Sequence, residues 1–418
     1  MSIKLHFVLL AGLLVAPSCS AIRALDPPLT LTAPLASGEV SPSLSEDLLA
    51  LQSALIQDEV TGSNLALVVK GGERIYHEVV NSGKAGDRDI SKDTLFPIWS
   101  MSKPVTIVAM MTLYEKGLFQ WDEPVSKYIP CFANLLVQDG EVTLPAKEPL
   151  RIVHLMTHRS GYRYYALPYA PTPEDPVPPT YDAPHPNQTR FNDLAEFCEV
   201  AARQPLDFEP GSDFVYGINQ AILGRLVEVL SGESFADYLE QTLFAPLGMA
   251  RTSFVLDEER GSLLQPLFIN SGELKGYTVM LNELTYTTQS RAHFGGEGLV
   301  SCTEDYARFC EMLVGGGVFR GRRIISEASI AEMTTPHSVD VFAEAAPGFD
   351  MAFSVSVLRD PVLDGSRAPK GVYGWSGYHN THFWIDPETK LYALFMSRAR
   401  EFNPGIPREM RAAIYGAR

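Results

Sequence analysis

Ser100-Met101-Ser102-Lys103-Pro104 is the stretch on which the reading of this chain turns. Strand-like sequence from Phe96 leads into it, and an apolar helical pattern runs on from Ser102 to Glu115, stopped by Gly117. Pro104 falls in the first turn of that helix, where a missing N–H is tolerated. On a helix Ser100 and Lys103 are one turn apart and share a face, so a hydroxyl has an amine within reach. Backbone N–H groups at the helix start can help to bind an oxyanion. Serine acyl chemistry needs that combination: a nucleophile, a group to take its proton, and donors for developing negative charge. A Ser and a Lys three apart occur in many helices, so the case rests on what the rest of the chain supplies.

Outward from this point, the pattern divides the chain. Leu44 to Ile56 reads as an amphipathic helix, Asn64 to Lys70 as a strand, and Gly71-Gly72 as the turn into a second strand, Ile75 to Val80. Residues 125–290 look different, with a Pro-rich excursion from Leu167 to Pro186 and helix candidates at Phe191 to Ala202, Gln220 to Leu230 and Phe235 to Leu243. Further helices are expected at Asp305 to Gly315, Ile324 to Met333 and Pro407 to Tyr415, and strands at Phe353 to Val357, His382 to Ile385 and Leu391 to Ser397. The simplest architecture is α+β. Residues 21–124 and 291–418 form an antiparallel sheet flanked by helices, and residues 125–290 form a second, mainly helical domain. A crevice at their junction is the expected place for a small-molecule site.

Length and charge bound the function. The 418 residues suit two packed units, and a net charge of −16 argues against nucleic acid, which rewards basic surfaces. Lys4 and His6 precede an apolar run from Phe7 to Ala16 and then small residues, so residues 1–20 read as a secretory signal peptide and the mature chain as periplasmic or secreted. Lipidation at Cys19 is the weaker reading, because Ala16-Pro17-Ser18 matches a lipoprotein site poorly. No later segment has enough continuous apolar sequence to span a bilayer. Cys131, Cys198, Cys302 and Cys310 read as buried thiols rather than bridges. No close-spaced Cys pair, His-Glu-x-x-His or acidic calcium loop supports a metal, and no cofactor is expected. Gly295-Gly296-Glu297-Gly298 lacks the Lys-Ser or Lys-Thr of a phosphate loop, so nucleotide binding is not expected either.

Ser100-Met101-Ser102-Lys103-Pro104 resembles the first motif of the serine beta-lactamase and penicillin-binding protein superfamily, in its class C branch. More closely it resembles the carboxylesterases that share that fold, the family VIII esterases. Ile152 to Gly161 is similar to that family's segment after the nucleophile helix. Gly211 to Gly224, Pro246-Leu247-Gly248-Met249, Gly298-Leu299-Val300-Ser301 and Trp384-Ile385-Asp386-Pro387 continue the likeness in the same order. The resemblance implies a beta-lactamase/transpeptidase-like fold, with Ser100 as nucleophile, Lys103 as its partner and Tyr216 as the second-motif tyrosine. Lactamases usually have Asn two places after that tyrosine; here Ile218 occupies it and Asn219 stands one place late. The third motif, normally Lys-Thr-Gly or His-x-Gly on an edge strand, is Trp375-Ser376-Gly377, similar to the Trp-Gly-Gly of the esterase branch. Without the Lys, strong binding of an anionic beta-lactam is not expected.

Neither Lys nor Tyr is a base at neutral pH when unperturbed, with pKa values of about 10.4 and about 10. A tyrosinate at Tyr216 beside Lys103 is the natural assignment, and both residues stay open as the base. The expected oxyanion donors are the backbone N–H groups of Ser100 and Tyr378, with Gly377 letting substrate approach the backbone. Trp375, Ser376, Gly377, Tyr378, Asn219 and Tyr162 are the substrate-binding candidates, and Tyr162, Tyr164 and Tyr165 could shape an aromatic entrance. Ser102 reads as a cap or packing residue, and His154 and His158 as packing or supporting groups. The expected partner is a small-molecule ester, with weak beta-lactam binding at most. The alternatives are a beta-lactamase, a D-alanyl-D-alanine carboxypeptidase-like enzyme, an acyltransferase using the same serine, or a non-catalytic binding protein on this fold.

Overall fold

The computed structural model describes residues 37–164, 191–272, 275–278 and 291–417. The expected signal peptide with Cys19, Tyr165 and the Pro-rich excursion all lie outside the described residues. Helix α1 (Leu44–Gln57) precedes the hairpin β1 (Asn64–Lys70) and β2 (Glu73–Val80), turned by Gly71 and Gly72 at positive φ. Helix α2 (Ser102–Glu115) is entered through one 3-10 turn, Trp99–Met101. The middle of the chain supplies α3 (Ile152–Met156), α4 (Leu194–Ala201), α5 (Asn219–Ser231) and α6 (Phe235–Leu239). The remainder holds α7 (Thr303–Val314), β3 (Phe349–Met351), β4 (Ser356–Leu358), β5 (Tyr373–Gly377), β6 (Thr381–Asp386), β7 (Leu391–Ser397) and α8 (Gly405–Tyr415).

Both parts of the chain build one antiparallel sheet in the order β3-β4-β5-β6-β7-β1-β2. Its centre joins the two, with β1 against β7 from Asn64 opposite Ser397 to Lys70 opposite Leu391. The period of two decides which face each side chain serves. Leu65, Leu67 and Val69 join Phe383 and Leu394 in one core. Ala66 and Val68 join Trp384, Ala393 and Phe395 in the other, under Leu44 and Leu48 of α1 and Ile414 of α8. Helix α2 is buried from Ser102 through Leu113, as an almost wholly apolar helix must be. The larger core runs without a break from Leu67 and Leu394 of the sheet through Val108 of α2 to Phe197 and Leu226 of the middle helices.

Several elements differ from the sequence reading for local reasons. The strand expected at 353–357 begins only at Ser356, as β4, because Ser354 takes a φ of +54° that breaks the extended chain before it. The helix expected from Ile324 starts at Glu327, where Ser326 caps it by accepting from the Ser329 N–H. The helix expected to run to Leu243 ends at Leu239 and passes into a wider turn over Glu240–Phe244. The middle segment also contains strands too short to carry a periodic signal. One of them, Leu267–Ile269, pairs with both Gly276–Thr278 and Ala399–Arg400.

The strand that carries the third motif is not at the edge of the sheet. It lies between β4 and β6, but β4 pairs only with Tyr373 and Gly374, so Trp375-Ser376-Gly377 is flanked by β6 alone. The motif thus has a locally open side within an interior strand. Its last residue is held against the chain just before Ser100. A Cβ on Gly377 would lie 2.3 Å from the Ile98 carbonyl oxygen and 2.3 Å from Thr381 Oγ1. Gly377 is therefore required for backbone-to-backbone approach, not for approach of substrate as the sequence suggested. Gly377→Ala is expected to lower stability by about 1–3 kcal/mol, the usual cost of overpacking. A urea unfolding midpoint unchanged from the parent protein would show that the strand end has slack.

Candidate active site

The 3-10 turn before α2 presents Ser100 half-buried, with Trp99 and Met101 buried on either side. Trp99 holds a φ of +46°, a conformation that a bulky L residue adopts only when its surroundings impose it. Those surroundings are aromatic: the Trp99 ring meets Tyr378 edge-on at 5.4 Å and His379 at 4.9 Å. One turn on, the Lys103 side chain is wholly buried. Its Nζ donates to Ser100 Oγ at 3.0 Å, to the Tyr164 hydroxyl at 2.8 Å and to the Gly296 carbonyl at 2.7 Å. It also lies 4.7 Å from the centre of the Tyr216 ring. The Tyr216 hydroxyl is hydrogen-bonded to Ser100 and accepts from Trp375 Nε1 at 3.3 Å. Hydroxyl, amine and phenol, read from segments more than a hundred residues apart, thus meet around one point.

Tyr216 is held there by a buried polar network. His158 sits at a φ of +56°, its ring 4.7 Å from that of Tyr216. Its Nδ1 accepts from the Gly217 N–H at 3.3 Å and contacts Asn219 Nδ2 at 2.8 Å, while its carbonyl accepts from the Val215 N–H at 3.0 Å. Burial holds this ring well below the ordinary histidine range, with the Lys103 charge adding to the effect, so it stays neutral and structural. Gly217 has no room for a side chain, because its Cβ would fall 1.9 Å from the Tyr162 carbonyl oxygen. That contact locks the Tyr162–Tyr164 segment to the Tyr216 segment.

The electrostatics separate the two candidate bases. Burial pulls the Lys103 ammonium down to about 7, opposed by the negative charge of Glu297. Burial pushes the Tyr216 phenol well above its usual value, and its hydrogen bonds to Ser100 and Trp375 only partly oppose this. The tyrosinate favoured by the sequence reading is therefore the wrong state for Tyr216: a phenol out of water keeps its proton. A neutral Lys103 amine can accept the Ser100 proton near neutral pH, and a protonated Tyr216 can hand a proton onward.

Other candidates fall on both sides of the reading. Trp375 faces the site, on the same side of the sheet as Phe383. Ser376 points to the opposite face, where its Oγ lies 2.7 Å from His382 Nδ1, so it does not bind substrate. Asn219 does not reach substrate either. It is fully buried, its amide nitrogen on His158 and its amide oxygen accepting from Ser160 Oγ. Tyr162 is a core residue beside Phe132 with its hydroxyl buried, not part of an entrance. Tyr378 directly follows Gly377 alongside the Ser100 turn, its ring on Trp99 and its hydroxyl donating to Glu401 at 2.9 Å. Ser102 is a packing group, accepting from the Leu299 N–H at 3.1 Å. His154 accepts from the Arg151 N–H at 3.2 Å at the start of α3, and His379 is buried against Trp99. Cys198, Cys302 and Cys310 are buried free thiols, and Cys131 is half-buried. Among the described residues no helix is long and apolar enough to cross a membrane.

Two site residues were not recognised from sequence. The sequence places Tyr164 with its neighbours at an aromatic entrance, yet its hydroxyl touches Lys103 and donates to Glu297 Oε2 at 3.1 Å. Glu297 lies in the Gly-rich stretch that failed as a phosphate loop. A single carboxylate among glycines, at Gly295-Gly296-Glu297-Gly298, is the signal that the sequence offers.

The beta-lactamase family model matches residues 53–416. The chain belongs to the beta-lactamase family. Esterase EstB of Burkholderia gladioli is 27% identical over 380 residues, covering 87% of this chain and 92% of that protein. A putative D-alanyl-D-alanine carboxypeptidase of Escherichia coli K12 is 25% identical over 411 residues, covering 92% of this chain and 88% of that protein. Among solved structures, EstCE1, a hydrolase with promiscuous acyltransferase activity, superposes with a TM-score of 0.72 at 21% identity, covering 90% of this chain and 99% of its own. That likeness shows the fold: the antiparallel sheet flanked by helices is the family's own.

With Lys103 neutral only above its lowered pKa, kcat/KM should rise with pH through about 7 and then stay level well into the alkaline range. A pH–rate profile measured from 5 to 10 checks this. An alkaline limb near 10 would instead identify a titrating tyrosine. Lys103→Met should lower kcat by a factor on the order of 10² to 10⁴, the usual contribution of general acid–base catalysis, with the thermal midpoint retained.

Proposed function

We propose that this protein is a serine carboxylesterase that hydrolyses short-chain carboxylic esters through an acyl-Ser100 intermediate. The observation that carries the reading is the indole of Trp375 bonded to the Tyr216 hydroxyl, in the motif where a lactamase would offer a cation to a substrate carboxylate. Phe342 lies 5.5 Å from Trp375 and Phe214 lies 5.6 Å from Phe342, all three half-buried. Such a wall favours a neutral, apolar group over an anion. The similarity to Esterase EstB across most of both chains supports the same choice.

In the reaction Ser100 Oγ attacks the ester carbonyl as its proton passes to the neutral Lys103 amine. The carbonyl oxygen becomes an oxyanion, taken by the backbone N–H groups of Ser100 and Tyr378. Removing one such donor typically costs about 3 kcal/mol of transition-state stabilisation. Collapse breaks the bond to the alcohol, which leaves with the proton that Lys103 took from Ser100, while the Tyr216 hydroxyl stands by the departing oxygen. Water then attacks acyl-Ser100 by the same route and releases the carboxylic acid. An alcohol in place of water would give acyl transfer from the same intermediate.

Short acyl esters and a chromogenic cephalosporin assayed side by side test the substrate class. Ester turnover should lead in kcat/KM, and cephalosporin turnover exceeding it would overturn the esterase reading. Intact mass after treatment with a fluorophosphonate should show one adduct on Ser100, absent in Ser100→Ala. A folded protein that takes no adduct would not be a serine hydrolase. Excess alcohol should divert only a minor share of the acyl group, and dominant transfer would make the protein an acyltransferase.

A further inference from the structure

The three hydrogen bonds of Lys103 set a problem that the reaction has to solve. As an ammonium it uses all three protons, toward Ser100 Oγ, the Tyr164 hydroxyl and the Gly296 carbonyl. As the neutral base it keeps two protons and one lone pair, and only a lone pair facing Ser100 can accept the serine proton. The Gly296 carbonyl can only accept, so it fixes one N–H. The Tyr164 hydroxyl is ambiguous, since it can accept from the amine or donate to it. If it donated, the lone pair would be spent on Tyr164 and an N–H would point at Ser100, the reverse of what is needed.

Glu297 removes that ambiguity. Its carboxylate is buried and accepts the Tyr164 hydroxyl proton at 3.1 Å, so that the phenol oxygen meets Lys103 as an acceptor. We propose that Glu297, acting through Tyr164, is a positioning residue that aims the lone pair of Lys103 at Ser100. Both acceptor directions then come from one turn, because Gly296 and Glu297 are consecutive. The turn is pinned to the nucleophile helix. Thr106, one turn beyond Lys103, donates from Oγ1 to the Gly295 carbonyl at 2.8 Å, and a Cβ on Gly295 would come within 2.5 Å of that hydroxyl. Gly296 has little more space, since its Cβ would lie 3.0 Å from the Tyr164 hydroxyl and 3.5 Å from Lys103 Nζ. The Gly-rich stretch that no nucleotide explains is thereby accounted for as the seat of the base.

Among the described residues the titratable groups facing Lys103 are Glu297, Tyr164, Tyr216 and His158, and of these Glu297 favours the ammonium. Without its charge the acid limb moves to lower pH, while without its hold on Tyr164 the plateau falls. A residue serving only to stabilise the fold would do neither at constant folded fraction.

The proposal rests on Ser100 as nucleophile but not on the ester substrate, so the test reads both. The rate of Ser100 modification by a fluorophosphonate is followed against pH, together with ester kcat/KM, for Tyr164→Phe, Glu297→Gln and the double variant. In that modification Ser100 Oγ displaces fluoride from phosphorus, and the serine proton goes to Lys103. Tyr164→Phe should lower the plateau by about tenfold to about a hundredfold, the cost of a misdirected catalytic group. Glu297→Gln should lower the plateau and move the acid limb to lower pH. The double variant should have a plateau no lower than that of Tyr164→Phe, because Glu297 acts through that hydroxyl. Losses that multiply in the double variant, or parent-like plateaus in either single variant, would overturn the proposal. Should Glu297→Gln fail to fold, Glu297→Asp draws the carboxylate back from Tyr164: a lowered plateau supports the proposal and a parent-like one sinks it. If modification follows the expected pattern while no ester is turned over, the substrate reading fails and the positioning role stands.

Discussion

A primary amine sealed from water has to be surrounded by acceptors that leave it a choice of charge, and the site is organised around meeting that demand for Lys103. Burial drives its proton off near neutrality, while Ser100, Tyr164 and the Gly296 carbonyl keep each of its hydrogens or its lone pair occupied. No single stretch of sequence can provide this. The nucleophile helix brings the amine, the segment after α3 brings Tyr164, the entry to α5 brings Tyr216, and the turn before α7 brings Gly296 and Glu297. The tight glycines at 217, 295, 296 and 377 mark where those segments close on one another.

What the sequence disclosed follows from how local each signal is. The one-turn spacing of Ser100 and Lys103 and the apolar run of α2 are contained in one unbroken stretch, Ser100 to Glu115, and the structure has that helix over the expected span. The hairpin at Gly71-Gly72 and the strand at Leu391 to Ser397 are equally local. Tyr216 was reached through family resemblance, since nothing in its neighbours announces a role. Tyr164 and Glu297 depend on backbone contacts between distant segments, which leave no periodic trace.

The misassigned residues share one cause, which is direction. Tyr162 and Tyr164 read from sequence as one aromatic entrance, but one side chain enters the core and the other reaches Lys103. Ser376 lies next to Trp375 on a strand and so faces away from it. Asn219 begins α5, and its amide is absorbed by His158 and Ser160. Proximity in sequence identified the right neighbourhoods, while the geometry of the backbone decided which members look inward.

Gly377 carries a consequence for how the protein can change. The Ile98 carbonyl and the end of β5 meet with no clearance, so the gap between the nucleophile turn and the opposite wall is set by main chain rather than by side chains. Drift in sequence can neither widen nor narrow that side without moving the sheet itself. Room for a different ligand can be gained only across from it, where Phe214 and Phe342 stand on irregular segments outside the sheet. One jaw of the vice is fixed, and only the other is adjustable.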